Sequence, residues 1–308
     1  MFLLGCIRKN ISDKNDLSME KKILGVYFKL LLKIGVSGIC LWQVFRKVDL
    51  KELLHAFKTI HLNWLLVAIV FFIVSKICSA LRLNTFFRAI GLSFSEKANI
   101  RLYWLGMFYN LFLPGGIGGD GYKIWWLNKQ FDTPVKKLFW AVFFDRASGL
   151  MALGLLSCLL ALMSPVFRTW EWAIILLGGI ALTTFYAIYH FFFPAFKSHF
   201  WRTNAQGALV QIAQLICVLC ILKALSIHEH YLDYLMIFMV SSVVAILPFT
   251  IGGLGARELV FLFGAEYLKL EMHSAVIISL WFYIISAVVS LWGVYYVFNE
   301  KKLELKEG

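Results

Sequence analysis

Six ionisable residues stand where an apolar chain can least easily carry them. Asp120 and Lys123 follow one glycine-rich stretch, Arg257 and Glu258 follow another, and Asp145 and Arg146 interrupt a long apolar run. At the centre of a membrane helix each such group costs on the order of 2.5 to 3.5 kcal/mol. Six of them facing hydrocarbon would cost roughly 15 to 20 kcal/mol, more than a typical domain's whole stability. They must therefore face a polar cavity or one another. The chemistry that suits them is anion binding. A helix that restarts after a break exposes unpaired N–H groups and a positive dipole end, and successive glycine N–H groups form a nest for oxyanions. Asp120 is expected at the N-cap of such a helix with Lys123 one turn on. Arg257 enters the second restarted helix at the position matching Lys123, and its planar fork suits two oxygens of a phosphate. The candidate binding residues are thus Gly118, Gly119, Asp120, Lys123, Asp145, Arg146, Gly252, Gly253, Arg257 and Glu258. A competing reading stays open at this stage: Asp145 and Arg146 form ion pairs with the motif residues and never meet a ligand.

The two glycine-rich stretches are copies. Residues 113–123 read LPGGIGGDGYK and residues 247–257 read LPFTIGGLGAR, so both fit L-P-x-x-I-G-G-x-G-x-[KR] without a gap. Two prolines, six glycines and a basic residue in one register imply a structural duplication. Pro ends the preceding helix, glycine lets the backbone turn, and the result is a broken helix. At bilayer depth, backbone with unpaired polar groups survives only where it lines a cavity or is buried in protein. Paired Gly/Pro-interrupted segments in two halves are the sequence pointer to a transporter's binding site.

The elements that position these residues follow from composition. The 308-residue chain is 60% hydrophobic and 17% aromatic, and its polar surface is too small for a soluble domain. It reads as an all-α polytopic membrane protein with about six full spans, near residues 24–45, 62–81, 139–163, 172–193, 208–226 and 274–298. Two re-entrant broken-helix hairpins fall within 99–127 and 234–266. Span, span, hairpin and span then occur twice, over about 24–163 and 172–298. Three crossings per unit invert the second unit relative to the first. The transmembrane domain covers 23–298, between a basic tail over 1–22 and a second tail over 299–308. With the N-terminus inside, Lys and Arg divide 16 inside to 6 outside, which places both termini in the cytoplasm. Met1 and Met19 are both candidate starts.

The net charge of +12 is spread over loops between apolar runs, so it speaks for topology and anionic lipid and against nucleic acid. Residues 50–60 have helical apolar spacing and suit an interfacial segment, while Trp42, Trp64, Trp170 and Trp172 suit interface anchoring. Cys217 and Cys220 form a lone C-x-x-C inside a span, and His228 and His230 lie in a short polar turn, so neither pair implies a metal or redox site. Gln211 and Gln214 are expected to hydrogen bond between helices, and Asp145, Ser148, Gly149 and Ala152 make one small, polar helix face. There is no P-loop, no H-E-x-x-H and no G-x-S-x-G, and no cofactor is implied.

Asn110, Leu113, Pro114, Gly118-Gly119-Asp120, Asp145-Arg146, Pro248, Gly252-Gly253-Leu254-Gly255 and Arg257-Glu258 together resemble the lysylphosphatidylglycerol synthase transmembrane-region family, also called flippase-like integral membrane proteins. The likeness extends over about residues 24–298. That family's transmembrane module precedes an aminoacyl-lipid synthase domain or stands alone. It is associated with flipping aminoacylated phosphatidylglycerol or handling polyprenyl-phosphate-linked glycans. Members often carry Arg where this chain has Lys123, so the charge is kept and the bidentate fork is lost. This sequence ends at Gly308 without a synthase domain. The resemblance therefore implies a non-enzymatic lipid flippase or transporter in a bacterial-type inner membrane, moving an anionic, large-headed lipid. Two alternatives stand beside it. One is a non-transporting subunit or scaffold for a separate lipid-modifying enzyme or glycosyltransferase, and the other is a membrane enzyme using Asp120, Glu258 and Asp145. A homo-oligomer fits any of the three.

Overall fold

The computed structural model describes Gly35, Gly38, Trp42 and residues 60–112, 118–246 and 253–299. All of the first expected span except Gly35, Gly38 and Trp42, the interfacial segment over 50–59, and residues 113–117 and 247–252 of the two glycine-rich stretches, Gly252 among them, lie outside the described residues. The described residues are helical throughout their regular structure. The helices are α1 (Leu62–Ala89), α2 (Glu96–Phe112), α3 (Gly118–Phe131), α4 (Val135–Met163), α5 (Glu171–Phe192), α6 (Pro194–Lys197), α7 (Phe200–Ala224), α8 (Tyr231–Ile246), α9 (Ala256–Leu268), α10 (Met272–Leu291) and α11 (Val294–Phe298). A 3₁₀ turn, Pro165–Trp170, leads into α5. Among the described residues, five stretches are long and apolar enough to cross a membrane: Leu62–Ala89, Val135–Met163, Pro165–Phe192, Phe200–Ala224 and Met272–Phe298. They coincide with the last five expected spans.

Two boundaries move for a physical reason. Helix α1 does not stop at residue 81 but runs to Ala89, because Arg82 is neutralised inside the bundle and need not reach water. The charge division becomes 15 inside to 6 outside, with the same sign. Helix α3 begins at Gly118, so Asp120 lies inside its first turn and is not its N-cap.

Each glycine-rich stretch lies between two helices that pack on each other, α2 on α3 and α8 on α9. The neighbour relations of the first half recur in the second. Helix α1 meets α2 and α4, and α3 meets α4; likewise α7 meets α8 and α10, and α9 meets α10. Helices α1 and α7 form the broadest contact, α4 meets α7 and α8, and α10 meets α1 and α2. Helix ends recur too. After α1 the chain closes with Gly91 at φ 84° and Leu92 N–H donating to Phe87 O at 3.0 Å. After α7 it closes with Ser226 at φ 58° and Ile227 N–H donating to Leu222 O at 2.9 Å. Both are the left-handed closure that satisfies a helix's last carbonyls.

Small residues set the central spacing. A Cβ on Gly207 would stand 3.1 Å from both Ser148 O and Ala152 Cβ, so α7 and α4 approach closely along the Ser148, Gly149 and Ala152 face. Cys217 and Cys220 are free thiols in the apolar core and pack as small residues. Helix α5, by contrast, buries only Phe185 and Tyr189. Its outer face, with Trp170 and Trp172 also exposed, presents apolar side chains to lipid.

Candidate functional site

Four of the six charged residues singled out in the sequence, Asp120, Lys123, Asp145 and Arg146, converge on one cavity, and Arg257 and Glu258 are not in its wall. The cavity, of about 340 Å³, lies among α1, α2, α3, α4, α7, α8 and α10, with Lys76, Arg82, Asp120, Lys123, Asp145 and Arg146 in its wall. Ser79, Tyr103, Asn110, Gln211, Gln214, Tyr283, Ser286 and Ser290 complete its polar lining. Four cations thus face two carboxylates, an excess of two positive charges in a wall otherwise held by apolar helices.

Each carboxylate is occupied. Asp145 Oδ1 accepts from Arg82 Nε at 2.8 Å, and both side chains are buried. Asp120 is shared: one oxygen accepts from Lys123 Nζ at 3.1 Å and the other from Arg146 Nε. Lys123 also lies over the Tyr103 ring at 4.5 Å. Arg146 and Asp120 therefore meet as the ion-pair reading anticipated, while Asp145 pairs with a cation from α1 instead. Because a buried pair broken on one side leaves an uncompensated charge, Arg82→Gln is expected to destabilise by about 3 to 5 kcal/mol. Adding Asp145→Asn should return most of that loss. Thermal unfolding of the two single variants and the double variant in detergent checks it, and additive losses would mean that the pair is not coupled.

The second glycine-rich stretch is built differently. Gly253 and Gly255 take φ of 86° and 84°, a left-handed turn that glycine enters without strain. Glu258 is fully buried: Oε2 accepts from Gly255 N–H at 2.6 Å and Oε1 accepts from Ser279 Oγ at 3.0 Å. Its geometry is that of a carboxylate reaching back to cap α9. Arg257 stacks its guanidinium on Phe282 at 4.6 Å and faces Phe238 at 5.5 Å. It pairs with neither Asp120 nor Asp145, and its Nη1 is buried without a hydrogen-bond partner. Gly118 and Gly119 lie within α3, where Asn110 Oδ1 accepts from Gly119 N–H at 2.8 Å.

A second space, about 350 Å³ between α4, α8, α9 and the start of α5, is lined by apolar side chains such as Met236, Ile237, Met239, Val240, Val260 and Leu268. It carries no charged side chain, so the chemistry of a polar group belongs to the first cavity.

The profile of the family described as Lysylphosphatidylglycerol synthase TM region matches residues 30–293. The chain belongs to that family. Among curated proteins none matches it. Membership of the lysylphosphatidylglycerol synthase TM-region family, with five helices fit to span a bilayer among the described residues, makes this a multi-pass membrane protein tied to membrane lipid.

Two charged members of the cavity wall, Lys76 and Arg82, were not among the binding residues expected from sequence. Lys76 stands at mid-length in α1, and Arg82 lies two turns further on. The signal was present in the run IVSKICSALRLNTFF, where a basic residue twice interrupts an apolar helix. Gln211 was read as an interhelical bond, and its Nε2 does donate to Gly149 O, at 3.3 Å.

Proposed function

We propose that this protein is a lipid flippase or transporter that binds an anionic, large-headed lipid and carries its headgroup through the bundle without chemical change. One observation carries the reading: a polar cavity with four cations and two carboxylates inside apolar, lipid-facing helices. Such a wall stabilises a negatively charged headgroup that bare hydrocarbon would reject. The family's link to lysylphosphatidylglycerol supports a modified phospholipid, and a polyprenyl-phosphate-linked glycan has the same charge and bulk. The ligand's hydrocarbon remains in the bilayer while its headgroup crosses.

The same reading takes the helix pairs α2–α3 and α8–α9 as re-entrant hairpins of an inverted repeat, with both termini in the cytoplasm of a bacterial-type cell. The recurrence of neighbours and helix ends in the two halves supports duplication, and an odd number of crossings per unit supports inversion. Two halves that meet at one cavity can rock against each other and open it to either side.

The test is reconstitution. Purified protein in liposomes is expected to move a fluorescent-headgroup phosphatidylglycerol between leaflets faster than protein-free liposomes, and to leave the lipid chemically intact. Protein that is folded yet inert alone, and active only beside a lipid-modifying enzyme or glycosyltransferase, would replace the transporter reading with the scaffold one.

A further inference from the structure

Two interior cations are left over when the ion pairs are complete. Lys76 makes no hydrogen bond or ion pair among the described residues, and its Nζ stands 4.6 Å from the centre of the Phe72 ring. Arg257 makes no side-chain hydrogen bond among them, and its guanidinium stands 4.6 Å from the centre of Phe282. Phe72 and Phe282 are themselves in edge contact, with centroids 5.5 Å apart. The two cations therefore flank one pair of touching rings, one from each half of the chain. Lys76 lines the polar cavity, and Tyr283, the neighbour of Phe282, lines it as well.

This arrangement is costly as it stands. Aromatic faces relieve part of a cation's desolvation, but they supply no acceptor for its N–H groups. A buried Nη1 without a partner is a donor awaiting an oxygen. Lys123 and Arg146, by contrast, already share Asp120, and Arg82 holds Asp145.

We infer that Lys76, which lines the cavity, and Arg257, which stands outside that lining beside Phe282, form a phosphate subsite at the cavity's edge, one oxyanion bridging the ammonium of α1 and the guanidinium of α9. The inference rests on the lipid-binding reading above and deepens it. The phosphate meets a point charge on one side and a planar donor fork on the other, so it is held by both halves at once. Lys123, Arg146 and Asp120 are then a preformed neutral-to-positive wall beside the headgroup, and they do not hold the phosphate.

The experiment uses the full chain in detergent, titrated with phosphatidylglycerol, with inorganic phosphate and with diacylglycerol. Binding is read by native mass spectrometry and by the shift in unfolding temperature. The parent protein is expected to be stabilised by phosphatidylglycerol and by neither of the other two. Lys76→Met should unfold no earlier than the parent without lipid, because it removes an uncompensated charge, yet bind phosphatidylglycerol at least ~30-fold more weakly. Arg257→Gln should weaken binding by a similar factor, and Arg257→Lys should recover part of it. Lys129→Gln, at an exposed lysine of α3 outside the cavity wall, should leave binding within about threefold of the parent, the scale of a surface-charge effect.

If Lys76→Met and Arg257→Gln bind phosphatidylglycerol like the parent while Arg146→Gln does not, the subsite is misplaced and the lipid-binding reading survives. Stabilisation by inorganic phosphate, lost in Lys76→Met, would keep the cation pair as an anion site and overturn its lipid ligand. A parent protein that binds diacylglycerol as well as phosphatidylglycerol would overturn both readings.

Discussion

Asp120→Asn is expected to be among the most damaging single changes to a cavity residue, lowering stability by about 3 to 5 kcal/mol, a loss comparable with the lower end of a whole domain's margin. The carboxylate answers two cations, so its removal leaves Lys123 and Arg146 facing each other across the base of α3. The two cations will not suffer equally. Lys123 has 4% of its side chain exposed and Arg146 has 43%, so the lysine has no water to turn to and the arginine can reach into the cavity. Asp120→Asn should therefore be rescued better by Lys123→Met than by Arg146→Gln. Recovery of the folded, monodisperse fraction after detergent extraction measures it for each double variant. Equal rescue by the two partners would mean that the pair with Arg146 is as desolvated as the pair with Lys123, contrary to the exposures.

The chemistry of this cavity was legible in part because charge inside an apolar helix has few explanations. Asp120, Lys123, Asp145 and Arg146 all line it, and their convergence follows from the cost of leaving any of them in hydrocarbon. Which charge would meet which was not legible, since partners come from elements far apart in sequence. Asp145 is held by Arg82, a residue that reads as a span's end because an arginine there can equally reach water. Lys76 was hidden by a different cause: one lysine does not lower the apolar character of α1 enough to mark it. The duplicated glycine stretch led to the expectation of two re-entrant hairpins, and a packed helix pair does flank each copy. It did not foretell that they differ. Glu258 stands beside a basic residue in the sequence and reads as a binding group, yet both its oxygens are engaged by Gly255 and Ser279. A carboxylate three residues into a helix is as suited to closing that helix's own first turn as to meeting a ligand.

That divergence yields the other large expected effect. Gly119 and Gly253 occupy the same place in the repeated motif, but the structure needs glycine at each for a different reason. Gly253 sits at φ 86°, and a Cβ there would lie 3.0 Å from Ala245 Cβ. Gly253→Ala should therefore cost roughly 1 to 2 kcal/mol for the left-handed backbone, with a modest contact to relieve. Gly119 is helical and its backbone is ordinary; what it lacks is room. A Cβ would stand 1.9 Å from the carbonyl oxygen of Gly106, which is backbone and cannot rotate away. Helices α2 and α3 would have to separate, and Lys123 and Asp120 on α3 would move with them, so Gly119→Ala should abolish recovery of folded protein where Gly253→Ala only reduces it. Gly154, in α4, supplies the control. A Cβ there meets nothing within 4 Å, and Gly154→Ala should be neutral or stabilising by up to ~1 kcal/mol from helix propensity. Thermal stability in detergent should rank the variants Gly154→Ala, Gly253→Ala, Gly119→Ala from best to worst. A Gly119→Ala protein as stable as the parent would show that the two helices do not meet at that distance, and with it the placement of Asp120 and Lys123 in the cavity wall would fall.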